Sequence, residues 1–198
     1  MNEHQAIYER IIEDPRYLQN LDWGKPRRGH PEGSVRAHLA ELEENLARLK
    51  SGLSEETFWK LKVLIHVHDT FKAEATKGVP IEHPSSHASL ARRFLEEFCQ
   101  EPDLLQMVQY HDEPFALWRQ ASQRGHCNQK RLQKLLENIQ DWTLFLTFLL
   151  VDGCTDGKDP EPLNWALREL TPSQELRERL FVLAGIVRAV PAKTLDSP

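Results

Sequence analysis

Apolar residues recur at helical spacing along most of this chain of 198 residues. A clear example is the set at positions i, i+3, i+4 and i+7 that would form one face of a helix: Leu61, Leu64, Ile65 and His68. No stretch of useful length alternates between apolar and polar residues, as a half-buried strand would. The sequence therefore predicts an all-α fold, a single bundle of about eight helices with short connections.

Capping residues and breaks in the apolar pattern divide the chain into segments. Helices are predicted over residues 2–13, 34–49, 54–69, 85–99, 103–111, 114–125, 128–152, 161–170 and 172–190. Polar stretches that contain Gly and Pro are predicted to be loops, at residues 20–33 and 73–84. The length fits one domain, 1–198, in which helices 161–190 cover the bundle and the tail after Pro191 is loose.

Composition excludes several classes of protein. The net charge of −5 argues against a general affinity for nucleic acid or for anionic membranes. The three cysteines are scattered and odd in number, which is typical of a reducing compartment rather than of a disulfide framework. The most apolar run, 142–151, is too short to span a bilayer, and the charged N-terminus has no apolar signal segment. These features predict a cytoplasmic protein.

Several ionisable residues lie on otherwise apolar helical faces, at or near predicted helix ends: His38, His68, Asp69, His111 and Asp152. Burying such groups is costly unless they are paired or bind a metal. Imidazoles and carboxylates together suit Zn, Mn, Fe, Ni or Co, and Mg less well. The alternative interpretation is a buried network of His–Asp hydrogen bonds without a metal. Asp156 competes with Asp152, but the apolar periodicity before Asp152 favours the latter.

Four sequence blocks, in order, resemble the HD-domain metal-dependent phosphohydrolase superfamily. They are HPEGSVRAH at His30–His38, HDTFK at His68–Lys72, HPSSHA at His83–Ala88 followed by Tyr110-His111, and Asp152 with Gly157-Lys158 after it. The blocks cover residues 30–158, which would form the metal-binding core. The resemblance implies an HD-like helical fold and a metal site.

The resemblance also implies a ligand set. A first ion would be held by His38, His68, Asp69 and Asp152. Dinuclear members add two histidines, which would be His83 and His111, with Asp69 bridging the ions. Lys72 stands where single-metal nucleotidase relatives have an acidic residue, which favours the dinuclear branch. His87 stands where the family usually has a small residue, but helical spacing points its side chain inward. We interpret it as a core histidine beside the site.

The expected activity is hydrolysis of a phosphomonoester, a phosphodiester or a nucleotide by a water that a divalent ion activates. Asp69 and Lys72 are the predicted catalytic residues, and cations that would bind phosphate are Lys72, Lys158, Arg27 and Arg28. The expected partner is a small phosphoester, not nucleic acid or a membrane. Two alternatives stay open: an HD-fold oxygenase with two irons on the same ligands, and a non-catalytic nucleotide-binding module. Trp118, at helical spacing from Phe115, is predicted to lie in the core.

Overall fold

The computed structural model describes residues 2–188, which form eleven α-helices and two short 3-10 turns. The helices are α1 (Glu3–Glu13), α2 (Pro15–Asn20), α3 (Val35–Leu49), α4 (Glu55–Val67), α5 (His87–Glu96), α6 (Pro102–Tyr110), α7 (Glu113–Arg124), α8 (Gln129–Asn138), α9 (Trp142–Gly153), α10 (Glu161–Glu169) and α11 (Gln174–Arg188). The 3-10 turns are Lys50–Gly52 and Thr70–Ala73. Within 2–188, β-type pairing is limited to two isolated bridges, Gly24–Ser34 and Arg27–His30. The all-α prediction is confirmed.

The eleven helices are two more than the nine helical segments predicted, for two local reasons. The Asp14 side chain accepts a hydrogen bond from the backbone N–H of Arg16, so Pro15 begins α2 instead of only ending α1. The helix predicted over 128–152 is interrupted at residues 139–141, between α8 and α9. There the Asp103 carboxylate accepts hydrogen bonds from the backbone N–H groups of Gln140 and Asp141, at 2.9 and 2.8 Å.

Serine caps fix the starts of three helices that carry the predicted site residues. Ser34, Ser54 and Ser86 each accept a hydrogen bond from the backbone N–H three residues later, at the starts of α3, α4 and α5. Such caps satisfy an N–H group that has no partner inside the helix. Gly125, at a φ of +75°, ends α7 in the left-handed conformation, as expected for a helix C-terminus.

The buried apolar side chains form one continuous cluster, with α4 and α9 near its centre. Helix α4 packs against α1, α3, α6 and α9, and α9 also packs against α3, α10 and α11. Among the described residues, no helix combines the length and apolar character needed to cross a membrane. The last two residues of the helix predicted over 172–190, and the tail after Pro191, lie outside the described residues.

Close packing of two glycines connects the loop before α3 to the loop after α9. Gly33, at a φ of +83°, lies so near Pro26 that a Cβ atom would come within 2.7 Å of its ring. A Cβ on Gly157, at a φ of +73°, would come within 2.9 Å of Pro31. Since neither position has room for a side chain, the glycines allow residues 30–34 and Lys158 to approach the same end of the bundle.

Candidate metal centre

Five helix ends meet at one place and carry the ionisable side chains. His68 and Asp69 follow the last residue of α4, and His111 follows the last residue of α6. Asp152 lies in the last turn of α9. The remaining members come from helix starts: His38 from the first turn of α3 and His87 from the first position of α5. Three helix C-termini thus point their partially negative ends toward this cluster, which favours a cation there.

The first group of potential ligands consists of His38, His68 and Asp152. His38 Nε2 lies 3.0 Å from Asp152 Oδ1, and His68 Nε2 lies 3.8 Å from the same oxygen. Both histidines are buried, and Asp152 is partly exposed. The donor atoms of the group all lie within 4.8 Å of one another, so one ion could contact all three.

The second group consists of Asp69, His87 and His111. His87 Nε2 and His111 Nε2 are 3.1 Å apart, and they lie 3.9 and 3.5 Å from Asp69 Oδ1. The other oxygen of Asp69, Oδ2, lies 3.4 Å from His68 Nε2 of the first group. The two groups therefore adjoin through the Asp69 carboxylate, which offers one oxygen to each side.

Hydrogen bonds to the backbone leave the ligand nitrogens free. His68 Nδ1 donates to the carbonyl oxygen of Ile65 at 2.9 Å, and His111 Nδ1 donates to that of Val108 at 2.8 Å. Because a carbonyl only accepts, each ring keeps a lone pair on Nε2, and those lone pairs face carboxylate oxygens. His68 Nε2 and Asp69 Oδ1 are buried without a hydrogen-bond partner in the described chain. Acceptors that face each other in a buried site fit a bound cation.

The pKa shifts of His68, Asp69 and Asp152, unlike those of His38 and His111, favour the protonation states that bind metals. Burial lowers the pKa of His68, so its imidazole is neutral. Burial by itself would raise the pKa of Asp69, but Lys72 and His68 outweigh it and hold that pKa well below its usual value. In the same way Lys158 and His38 overcome burial at Asp152 and keep its pKa low. Neutral imidazole and ionised carboxylates are the forms that act as ligands.

Glu32 contacts His38 on the side of its ring that faces away from Asp152. Its Oε1 lies 3.2 Å from His38 Nδ1 and 3.0 Å from His30 Nδ1, and its side chain is buried. The hydrogen bond from His30 and the nearby His38 ring overcome burial and lower the pKa of Glu32 to about 2. Despite its burial, the hydrogen bond to Asp152 and the nearby Glu32 carboxylate raise the pKa of His38 to about 9. A carboxylate behind a histidine orients its ring toward a metal. The sequence offered no signal for Glu32 beyond its place in the first block.

The structure places His83, a predicted ligand, apart from the ligand groups. His83 is exposed, and its Nδ1 accepts a hydrogen bond from the Ser85 N–H at 3.1 Å. Within residues 2–188 it belongs neither to the two groups above nor to a third set of potential ligands, His30, Glu32 and His38. His87 occupies the expected place instead. Because Ser86 caps α5, His87 becomes the first helical residue, and its ring points at His111.

The predicted phosphate-binding cations divide between two places. Lys72 Nζ bonds to Asp69 Oδ2, and Lys158 Nζ bonds to Asp152 Oδ1 at 2.8 Å, so both touch the ligand groups. Arg28 lies farther out on the wall of a cavity that also contains Lys72 and Lys158. Arg27 lies in a neighbouring groove.

That cavity, which we name the aromatic cavity, has a volume of 580 Å³ and opens over the ligand groups. Its walls come from α7 and α10, through Pro114, Phe115, Trp118, Pro162, Leu163 and Ala166. Trp118 is only partly buried and lines this cavity, so its predicted place in the core is corrected. The adjacent Leu117 is the α7 residue that enters the core.

A larger groove of 1440 Å³ adjoins the aromatic cavity, and we name it the basic groove. Its cations are Lys25, Arg27, Lys72, Lys77, Arg119, Arg131 and Lys134. Lys72 and Asp112 line both spaces. Asp112 is half exposed, and its Oδ2 lies 3.2 Å from His87 Nε2, which places a carboxylate beside the second group.

The chain was compared with known proteins in three ways. No family model matches it, and searches of curated proteins and of solved structures return no match.

Proposed function

We propose that this protein is a metal-dependent phosphohydrolase of the HD-domain type, with two divalent ions held side by side. The observation that carries the proposal is the Asp69 carboxylate, which lies between two ligand groups and has Lys72 bound to one of its oxygens. His38, His68 and Asp152 would hold one ion, and His87 and His111 the other, with Asp69 between them. The ordered sequence blocks and the helical fold support the family.

The ligand types suit Fe, Mn, Zn, Ni or Co, with Mg as a further possibility. When bound, such ions supply a water activated for attack on phosphorus and neutralise charge on the phosphate. Lys72 lies beside both ligand groups and offers a cation to an oxygen of the same phosphate. Asp112 is exposed enough to orient water next to His87. Lys158 keeps Asp152 ionised and directed at His38, and it adds positive charge to the cavity wall.

Metal analysis of the purified protein tests the centre. We expect about two equivalents of divalent transition metal in the wild type and a loss of metal in the His68→Ala and Asp69→Ala variants. A chelator should abolish hydrolysis of p-nitrophenyl phosphate, and added Mn, Co or Ni should restore it. Circular dichroism shows whether each variant keeps its helices. A folded wild type that holds no metal even after reconstitution would overturn the proposal.

The same samples distinguish the alternatives. Bound iron with a mixed-valence signal and no phosphoester hydrolysis with any metal would replace the hydrolase by an oxygenase. Nucleotide binding without hydrolysis, in a protein loaded with about two ions, would indicate a binding module. About one equivalent of metal would instead indicate a single-metal enzyme.

A further inference from the structure

We propose that the substrate joins an aromatic ring to a chain of at least two phosphates, as a nucleoside triphosphate does, and that the bond broken is a P–O–P bond beside Lys72. This inference rests on the proposed hydrolase function and adds the substrate class. It comes from the aromatic cavity and the basic groove, which meet at the ligand groups.

The aromatic cavity offers a surface for a planar ring. Phe115 and Trp118, one helical turn apart on α7, have ring centroids 5.5 Å apart. Phe115 is 48% exposed although it is a large apolar residue, so a face of it is available to a ligand. The facing wall contains Pro162 and Leu163 of α10. An apolar cavity with aromatic walls is suited to a flat ring such as a nucleobase.

The basic groove offers cations that no carboxylate occupies. Lys25, Arg27, Lys77 and Arg119 are exposed on its walls, and within residues 2–188 the side chain of none of them forms an ion pair or a hydrogen bond. Two come from the loop before α3, one from the loop before α5 and one from α7. Cations brought together from three parts of the chain suit a ligand with several negative charges.

The acidic residues of the groove are already paired. Glu82 binds Lys134 at 2.6 Å, Asp22 binds Arg36 at 2.8 Å, and Glu113 binds Arg131 through both of its oxygens. Asp112 faces His87. The free charge on the groove walls is therefore positive, which explains how a protein of net charge −5 can hold an anion here.

The place where the two spaces meet indicates which bond of the substrate is broken. The aromatic cavity contains His111 and Asp69, the basic groove contains His87, and these three residues form the second ligand group. A ligand that extends from one space to the other must pass Lys72 and Asp112, which line both. The ring then lies on one side of the reacting phosphorus, and the remaining phosphates lie on the other. A monophosphate would leave the groove empty.

The reaction balances with water alone. The oxygen of water bonds to the phosphorus nearer the ring, and the bond from that phosphorus to the bridging oxygen breaks. Its electron pair stays on the bridging oxygen, which leaves with the distal phosphates. The protons of the water pass to the product oxygens and to solvent. A nucleoside triphosphate would yield a nucleoside monophosphate and pyrophosphate.

The affinity for an α,β-methylene nucleoside triphosphate, which cannot be cleaved at that bond, can be measured by isothermal titration calorimetry. Variants in each of the two spaces then test the spaces separately. The Lys25→Glu, Arg27→Glu, Lys77→Glu triple variant should weaken binding about tenfold or more, because it reverses three groove charges. The matched control reverses three exposed cations outside both spaces, Arg124, Lys130 and Arg179, and should bind like the wild type.

The Phe115→Ala, Trp118→Ala double variant should weaken binding of the same analogue about tenfold, by loss of stacking, and leave binding of inorganic tripolyphosphate unchanged. Equal effects of the groove and control variants on analogue binding would overturn the inference. So would an unchanged affinity in the aromatic variant.

Product analysis then separates the inference from the function on which it rests. Pyrophosphate released from a nucleoside triphosphate supports the inference. Hydrolysis of p-nitrophenyl phosphate or a nucleoside monophosphate, with no cleavage of triphosphates, would overturn the inference and leave the phosphohydrolase intact. If no phosphoester is cleaved in the metal-loaded protein, the proposed function itself fails.

Discussion

The His68 and His111 rings are fixed by the same local device. Each residue directly follows the end of a helix, and each Nδ1 donates to the carbonyl oxygen three residues earlier. The last carbonyls of a helix have no partner inside it, so a histidine at this position satisfies one of them. The ring is thereby held with Nε2 pointing beyond the helix end, toward the cluster. Two histidines distant in sequence thus present the same ring nitrogen to the cluster, in the same tautomer.

Also at the scale of single residues, the metal content of two variants distinguishes the roles of His83 and His87. We expect the His87→Ala variant to lose about one of two equivalents of metal, because it removes a ligand of the second group only. The His83→Ala variant should keep both ions, since His83 is exposed and lies apart from the cluster. Elemental analysis of the two purified variants makes the comparison. Loss of metal from His83→Ala alone would reverse the assignment.

At the scale of elements, α8 shows how a short helix is held. Its outer surface is polar except for Leu136, and Leu135 is its one fully buried residue. Leu135 is 0% exposed, while the next residue, Leu136, is 46% exposed. Helix α8 packs against α6 and α7, so Leu135 joins it to the part of the bundle that carries His111 and the aromatic cavity.

These neighbouring leucines form a matched pair for a stability measurement. The Leu135→Ala variant should lower the free energy of unfolding by about 2–5 kcal/mol, because it removes buried apolar contacts and leaves a cavity. The Leu136→Ala variant should change it by less than about 0.5 kcal/mol. Denaturant unfolding followed by circular dichroism gives both values. Similar losses in the two variants would show that α8 does not pack as described.

At the scale of the whole molecule, a chain of polar contacts outside the two ligand groups joins three helices. Tyr17 of α2 donates to His66 Nδ1 of α4 at 2.6 Å, and His66 Nε2 donates to Glu43 of α3 at 2.6 Å. Lys62 also binds the Glu43 carboxylate, at 2.6 Å. Burial by itself raises the pKa of Glu43, but the bonds from His66 and Lys62 outweigh it, so the pKa lies below its usual value of 4.5.

This network predicts the direction in which pH changes stability. A carboxyl group whose pKa is lower in the folded state stabilises the protein above the unfolded pKa, and the contribution is lost as pH falls through the folded value. The wild type should therefore exceed Glu43→Gln in stability near pH 7 by about 1 kcal/mol or less, because the carboxylate is 32% exposed and screened. The difference should shrink as the pH falls below 4.5.

Denaturant unfolding at several pH values measures the difference, with Glu44→Gln as the control. Glu44 is the exposed neighbour of Glu43 on α3, so its variant should differ little from the wild type. A difference between wild type and Glu43→Gln that grows as the pH falls would contradict the predicted sign.

Sequence alone determined the features that depend on near neighbours in the chain. Apolar spacing of three and four residues identified the helices. It also placed His38, His68, His111 and Asp152 on inward faces near helix ends, because a helix repeats every 3.6 residues whatever it packs against. The Ser54 cap and the Gly125 stop followed from local hydrogen bonding and backbone freedom. These features held in the folded chain.

Only the tertiary structure determined the contacts between segments that are far apart in the sequence. The break between α8 and α9 depends on Asp103, a residue of α6 that lies far from residues 139–141 in sequence. The contact of Glu32 with His38 requires the loop before α3 to fold back over the helix start. The choice of His87 over His83 depended on where His111 came to lie. The walls of the aromatic cavity formed only when α10 packed against α7, because long-range packing, unlike helical spacing, leaves no periodic trace in the sequence.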